Sequence, residues 1–110
     1  VLFDDFTGVV LETSEGDRIA EALGDKKAAI LKNHGLLTTG KTVDEAAWGF
    51  LSMDRCCQSQ LIAESAGQME RISDDVAELT KSQVGSEFAM WASFQPIYDL
   101  MLEKDDSFLN

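Results

Sequence analysis

The chain has 110 residues, enough for one domain and too few for two. Apolar types make up 45% and charged types 26%, which excludes a disordered, collagen-like or disulfide-dense chain. Twenty acids against nine Lys and Arg give a formal net charge of −11. Such a surface repels phosphate backbones and anionic headgroups, so neither nucleic acid nor a membrane is an expected partner. An anionic substrate would need local positive charge, which a metal can supply.

No apolar run approaches the roughly 18–20 residues that span a bilayer, and no basic segment leads into an apolar one as in a signal peptide. The chain starts at Val1 rather than Met and reads at once as strand or loop. It is therefore expected to be a piece of something longer. Cys56 and Cys57 are neighbours that cannot easily pair with each other. They read as packed or half-exposed thiols in a reducing, cytoplasmic compartment.

In chain order, Val9–Glu12 reads as a short strand or extended edge after the turn-like Asp4–Asp5 stretch. A helix is expected over 17–23, capped by Ser14 or Asp17 and stopped by Gly24. Two buried strands follow, Ala28–Leu31 and Leu36–Thr39, with Asn33-His34-Gly35 as a sharp bend between them. Gly35 is the residue expected to take the backbone angle that other residues resist. Thr42-Val43-Asp44-Glu45 is a capping box, and two acids in the first turn suit the helix dipole. The helix it opens is predicted from Val43 to Ala66, with Gly67 as its stop. Val43, Ala46, Ala47, Phe50, Met53, Cys57, Leu61 and Ile62 share one broad apolar face. Trp48 and Leu51 widen it, as for a helix that touches two neighbours or a second subunit.

Ser73, with Asp74 and Asp75, opens a second helix through Thr80, and Gly85 breaks it. Phe88, Trp91, Phe94, Tyr98, Met101 and Leu102 mark a third, with Pro96 expected to kink it or restart it. Trp91, Phe94 and Tyr98 read as core or subunit contacts. The acidic tail from Asp105 to Asn110 is expected to fray.

Chemical signatures are few. There is no phosphate loop, Cys-x-x-Cys, His-Glu-x-x-His or nucleophile elbow. The chain holds a single histidine, His34. It sits at a strand end, flanked by Asn33 and Gly35, in a setting that often carries function. The residues alone leave two roles open: a functional imidazole, or a turn histidine that bonds a backbone carbonyl.

The order Ala28-Ala29-Ile30-Leu31-Lys32-Asn33-His34-Gly35, then Gly40-Lys41-Thr42, then Asp44-Glu45-Ala46-Ala47-Trp48, resembles the class II aldolase/adducin family. Cys57-Gln58-Ser59-Gln60-Leu61, Ile72-Ser73-Asp74-Asp75-Val76 and Phe94-Gln95-Pro96 add to the likeness, which is nearest to fungal and bacterial adducin-like members. The resemblance implies an α/β fold, in three α/β/α layers, and assembly as a homo-oligomer, commonly a tetramer. It implies a zinc-dependent or other divalent-metal lyase acting on a small sugar phosphate or hydroxy-carbonyl compound. His34 matches the third of three histidine ligands. Asn33 and Gly35 would shape its turn, with Asn33 supporting the ligand from behind. The family's other two histidines and its catalytic Glu belong to an N-terminal half that this sequence lacks. Residues 1–110 are therefore read as the C-terminal part of a single domain, partnered by the missing half and inactive alone. The alternative is an adducin-like module for assembly without catalysis.

Overall fold

A computed structural model describes residues 1–5 and 13–109. The order of elements is β1 (Leu2–Phe3), α1 (Thr13–Leu23), β2 (Ala28–Leu31), β3 (Gly35–Thr38), α2 (Val43–Ala66), α3 (Asp74–Val84) and α4 (Glu87–Lys104), closed by a 3-10 turn at Ser107–Leu109. The expected strand at Val9–Glu12 lies outside the described residues. A small sheet with long helices places the chain in the α/β class.

The sheet has the order β1-β2-β3. β1 runs parallel to β2, with Leu2 opposite Ile30 and Phe3 opposite Leu31. Helix α1 is the crossover that such a parallel pair requires. β2 and β3 form an antiparallel hairpin that pairs Ala28 with Thr38 and Leu31 with Gly35. Among the described residues, the outer edges of β1 and β3 have no strand beside them. The register puts Phe3 and Ala29 on one face and Leu2, Ile30 and Thr38 on the other. Both faces are apolar, the pattern of a sheet covered on both sides. Phe3 and Ala29 are buried, yet Leu2 and Ile30 are exposed. Helix α2 packs chiefly against β3, where Thr38 Oγ1 donates to the Ala46 carbonyl at 2.9 Å.

Several helix ends follow their local signals. Gly24 has φ +54° and donates to the Ala20 carbonyl at 3.0 Å, an αL stop that glycine takes without strain. Thr42 caps α2, Ser73 caps α3 and Ser86 caps α4, each hydroxyl accepting from the N–H three residues on. Other expectations need correction. Helix α1 starts at Thr13, so Ser14 and Asp17 lie inside it rather than at its cap. Helix α3 runs to Val84 and stops at Gly85, the break expected there, whose N–H donates to the Lys81 carbonyl at 2.8 Å. Helix α4 passes through Pro96 as one element. The missing N–H there would have served the Ala92 carbonyl. One residue earlier, the Gln95 side-chain amide donates to the Trp91 carbonyl at 3.1 Å and to Asp44 at 3.0 Å, tying this turn of α4 to α2. The tail does not fray over its described part. Asp105 donates its N–H to the Met101 carbonyl, and Phe108 packs edge-on against Tyr98, centroids 5.9 Å apart.

The apolar stripe of α2 is real as a pattern but not buried along its length. Val43, Phe50, Leu61 and Ile62 are exposed. Trp48, Leu51 and Ile97 instead line a groove of about 440 Å³ between α2 and α4. Trp91 is exposed, while Phe94 and Tyr98 are half-buried. The surface area is 8542 Å², against roughly 6,000 Å² for a compact monomer of this mass. The radius of gyration is 16.3 Å, against about 13 Å for a compact domain of this length. The helices thus display apolar faces that the described residues do not cover.

Candidate functional site

The residue singled out by sequence, His34, lies in the three-residue turn that joins β2 to β3. Its N–H donates to the Leu31 carbonyl at 2.9 Å, which closes the turn. The residue that takes the left-handed conformation is Asn33, with φ 61°, not Gly35 as expected. Asn tolerates αL because its short polar side chain bonds locally. Gly35 is an ordinary strand residue, and a Cβ there would meet nothing within 4 Å. Lys32 donates to the Phe3 carbonyl at 2.8 Å, so the turn is also laced to β1.

These bonds give His34 a defined place. β1 and β2 are parallel, so their C-terminal ends lie at the same edge of the sheet. His34 stands just past that edge, exposed, and Asp4 and Asp5 leave β1 at the same end. In α/β sheets this is the end where ligands bind. Asp5 is engaged with Arg18 of α1 in an ion pair.

The other end of the hairpin is held differently. Glu45, at the third position of α2, is 2% exposed although ionisable. One carboxylate oxygen pairs with the Lys27 ammonium, just before β2. The other accepts the Lys41 backbone N–H at 2.7 Å, just after β3. The capping box therefore closes in an unusual way. Thr42 Oγ1 accepts from the Glu45 N–H at 3.2 Å, but the Glu45 side chain reaches past Thr42 to Lys41. Thr39 donates to the Lys27 carbonyl at 2.8 Å and completes the root. Gly40 is obligatory there, since a Cβ would lie 2.7 Å from the Ala46 nitrogen and 2.8 Å from the Glu45 Cβ. Lys27, followed by the Lys41 N–H, holds the Glu45 carboxyl below the usual carboxylate range. Lys41 itself is raised by its ion pair with Glu87 of α4.

Sequence reading placed Glu45 as a helix-start acid and missed its pairing with Lys27. The partner lies 18 residues away, and no local pattern marks it. Asp44 was read in the same way; it accepts the amide of Gln95.

A zinc centre takes three or four protein ligands. Among the described residues, no three His, Cys, Asp or Glu side chains come together to hold a metal ion. The described residues therefore hold no complete donor set; His34 offers one exposed imidazole on a bonded turn. The thiols of Cys56 and Cys57 are free, and Cys56 faces the α2–α4 groove. No described helix is long and apolar enough to cross a membrane.

Comparison with known proteins agrees with this architecture. Residues 2–61 match the family described as Class II Aldolase and Adducin N-terminal domain. The chain is 50% identical over 104 residues to decarboxylase NovR of Streptomyces niveus, covering 94% of this chain and 38% of that protein. It is 48% identical over 104 residues to the 4-hydroxy-3-prenylphenylpyruvate oxygenase/4-hydroxy-3-prenylbenzoate synthase of Streptomyces roseochromogenus subsp. oscitans, with the same coverage of 94% and 38%. The solved L-fuculose 1-phosphate aldolase of Glaciozyma antarctica PI12 superposes with a TM-score of 0.81 at 36% identity, over 93% of this chain and 37% of that one. The chain thus spans less than two fifths of the length of these relatives. Because the family match takes in more than half of its residues, with the hairpin, the Asn-His-Gly turn and most of α2 inside it, the chain belongs to the class II aldolase and adducin family.

Proposed function

We propose that this chain is the C-terminal part of a class II aldolase-like domain and presents His34 as one ligand of a divalent metal, zinc foremost. The whole protein would then break a carbon–carbon bond beside a carbonyl group in a small hydroxy- or keto-acid. The observation that carries the reading is the placement of His34, exposed on a bonded turn past the C-terminal ends of the parallel strands. When bound, a divalent ion supplies Lewis-acid polarisation of a substrate oxygen. The chain's own part is to fix the imidazole. The Leu31–His34 bond and the αL conformation of Asn33 set the backbone, so Asn33 supports the ligand through main-chain geometry. The relatives at 50% and 48% identity are named a decarboxylase and an oxygenase of a prenylated phenylpyruvate. The sugar-phosphate aldolase stands at 36%. This favours a hydroxyaryl keto-acid over a sugar phosphate as substrate.

By itself the chain supplies one ligand, so it is expected to be inactive and to need the remainder of the domain, N-terminal to it, as its partner. A homo-oligomer in a reducing, cytoplasmic setting completes the reading, with Cys56 and Cys57 kept as thiols. The deciding experiment compares the full-length polypeptide with its His34→Ala variant by elemental analysis after dialysis. The variant should lose bound metal by well over the roughly 10–100-fold that outer supporting groups contribute. Full metal retention in a folded variant would sink the proposal.

One observation favours the second reading, a non-catalytic assembly module: the bare apolar faces of α2, α3 and α4. In that case His34→Ala would change neither metal content nor assembly, while Ile62→Ser or Leu79→Ser would weaken assembly in gel filtration.

A further inference from the structure

We infer that Glu45 is a positioning residue for His34, acting through the hairpin that carries it; the inference rests on the reading of His34 as a metal ligand. A single buried carboxylate grips both far ends of the hairpin. It holds the chain just before β2 through the Lys27 ammonium and just after β3 through the Lys41 N–H. It also belongs to the first turn of α2, so it fixes the tilt of the hairpin against that helix.

The lever is long. Four strand residues separate this root from the turn, a span of roughly 13 Å. A tilt of about 5° at the root therefore moves His34 by about 1 Å, beyond the roughly 0.5 Å within which a site must hold its groups. The fit at the root leaves no slack. Gly40 is pressed against Glu45 and Ala46 too closely for any Cβ, and Thr38 is bonded to the Ala46 carbonyl. Asp44 cannot replace Glu45, because it is engaged with Gln95 on the α4 side.

The test uses the full-length polypeptide loaded with Co(II), whose visible absorption reports ligand geometry. Glu45→Gln keeps the side chain's length and one acceptor but loses the charge that holds Lys27. It is expected to shift the cobalt bands and weaken metal binding roughly ten-fold. Lys27→Met should do the same, and the double variant should match either single one, because both cut one link. Ser73→Ala, which removes the cap of α3, serves as a control that costs stability but leaves spectrum and affinity unchanged. If Glu45→Gln fails to fold, Lys27→Met carries the test. Wild-type cobalt spectra and affinity in folded Glu45→Gln or Lys27→Met protein would overturn the inference. His34→Ala separates the two levels. If it keeps its cobalt, the ligand reading fails and the positioning role with it; if it loses cobalt while the Glu45 and Lys27 variants do not, the positioning role alone fails.

Discussion

The hairpin with its root and the outer helices are built by opposite means. Around Lys27, Gly40, Lys41 and Glu45, polar groups find partners within the chain, and the backbone is close-fitted. Along the second half of α2 and on α3 and α4, each helix start is satisfied by its own cap, yet Leu61, Ile62, Leu79 and Phe88 face outward. The hairpin is specified by contacts made inside this chain. The helices are specified locally and left to be covered. On the proposed reading, the metal-binding geometry belongs to the self-contained hairpin, and any association belongs to the helices whose apolar residues face outward.

The largest expected effect tests the first half of that contrast. Gly40→Ala puts a methyl against the Ala46 nitrogen and should cost about 2–3 kcal/mol in urea unfolding. A cost below about 0.5 kcal/mol, the level of ordinary surface changes, would mean that the root is looser than described. Next is Asn33→Val, which forces a β-branched residue to φ 61°; a loss of about 1–2 kcal/mol is expected, with Asn33→Gly tolerated. On the helical side, Ser86→Ala removes the cap that accepts from the Ala89 N–H and should cost about 1 kcal/mol. The smallest effects are expected at Gly35→Ala and Ile62→Ser, each within about 0.5 kcal/mol for the unassembled chain. A large loss at Ile62 would show that the outer face of α2 is covered within one chain after all.

Acid unfolding sharpens the comparison. Glu45 has a folded-state pKa below its ordinary value, chiefly because of Lys27. Below the ordinary carboxylate range the unfolded chain binds a proton more readily than the folded one, so stability falls as pH drops through that range. The contribution is fully present above it. Glu45→Gln should flatten this acid limb when unfolding midpoints are followed between about pH 6 and pH 3. Gly35→Ala, which alters no ionisable group and meets nothing within 4 Å, should leave it intact.

What sequence could disclose follows the same division. The Thr42–Glu45 box, the Gly24 and Gly67 stops, the Ser73 cap and the two short strands were legible because each depends on neighbours in the chain. His34 was legible as an imidazole at a strand end beside a glycine. The Lys27–Glu45 pair was not, since it forms only when the hairpin docks on α2. Nor was the choice of Asn33 over Gly35 for the positive φ, because both residues accept that conformation and hairpin register decides between them. The stripe on α2 was legible as apolar, but periodicity says nothing about what covers it. Fraying was expected of the tail from its charge, and the ring contact of Phe108 with Tyr98 outweighed that signal.

The sheet ends on two strands whose outer edges are unpaired among the described residues. Such edges expose a row of amide and carbonyl groups that templates any passing strand. β1 limits this by its length: it is two residues long, the Val1 and Phe3 carbonyls are taken by Ile30 and Lys32 of the β2 side, and the charged Asp4 and Asp5 follow at once. β3, with four residues, is the longer open edge and the place where a strand added to this sheet would have something to pair with.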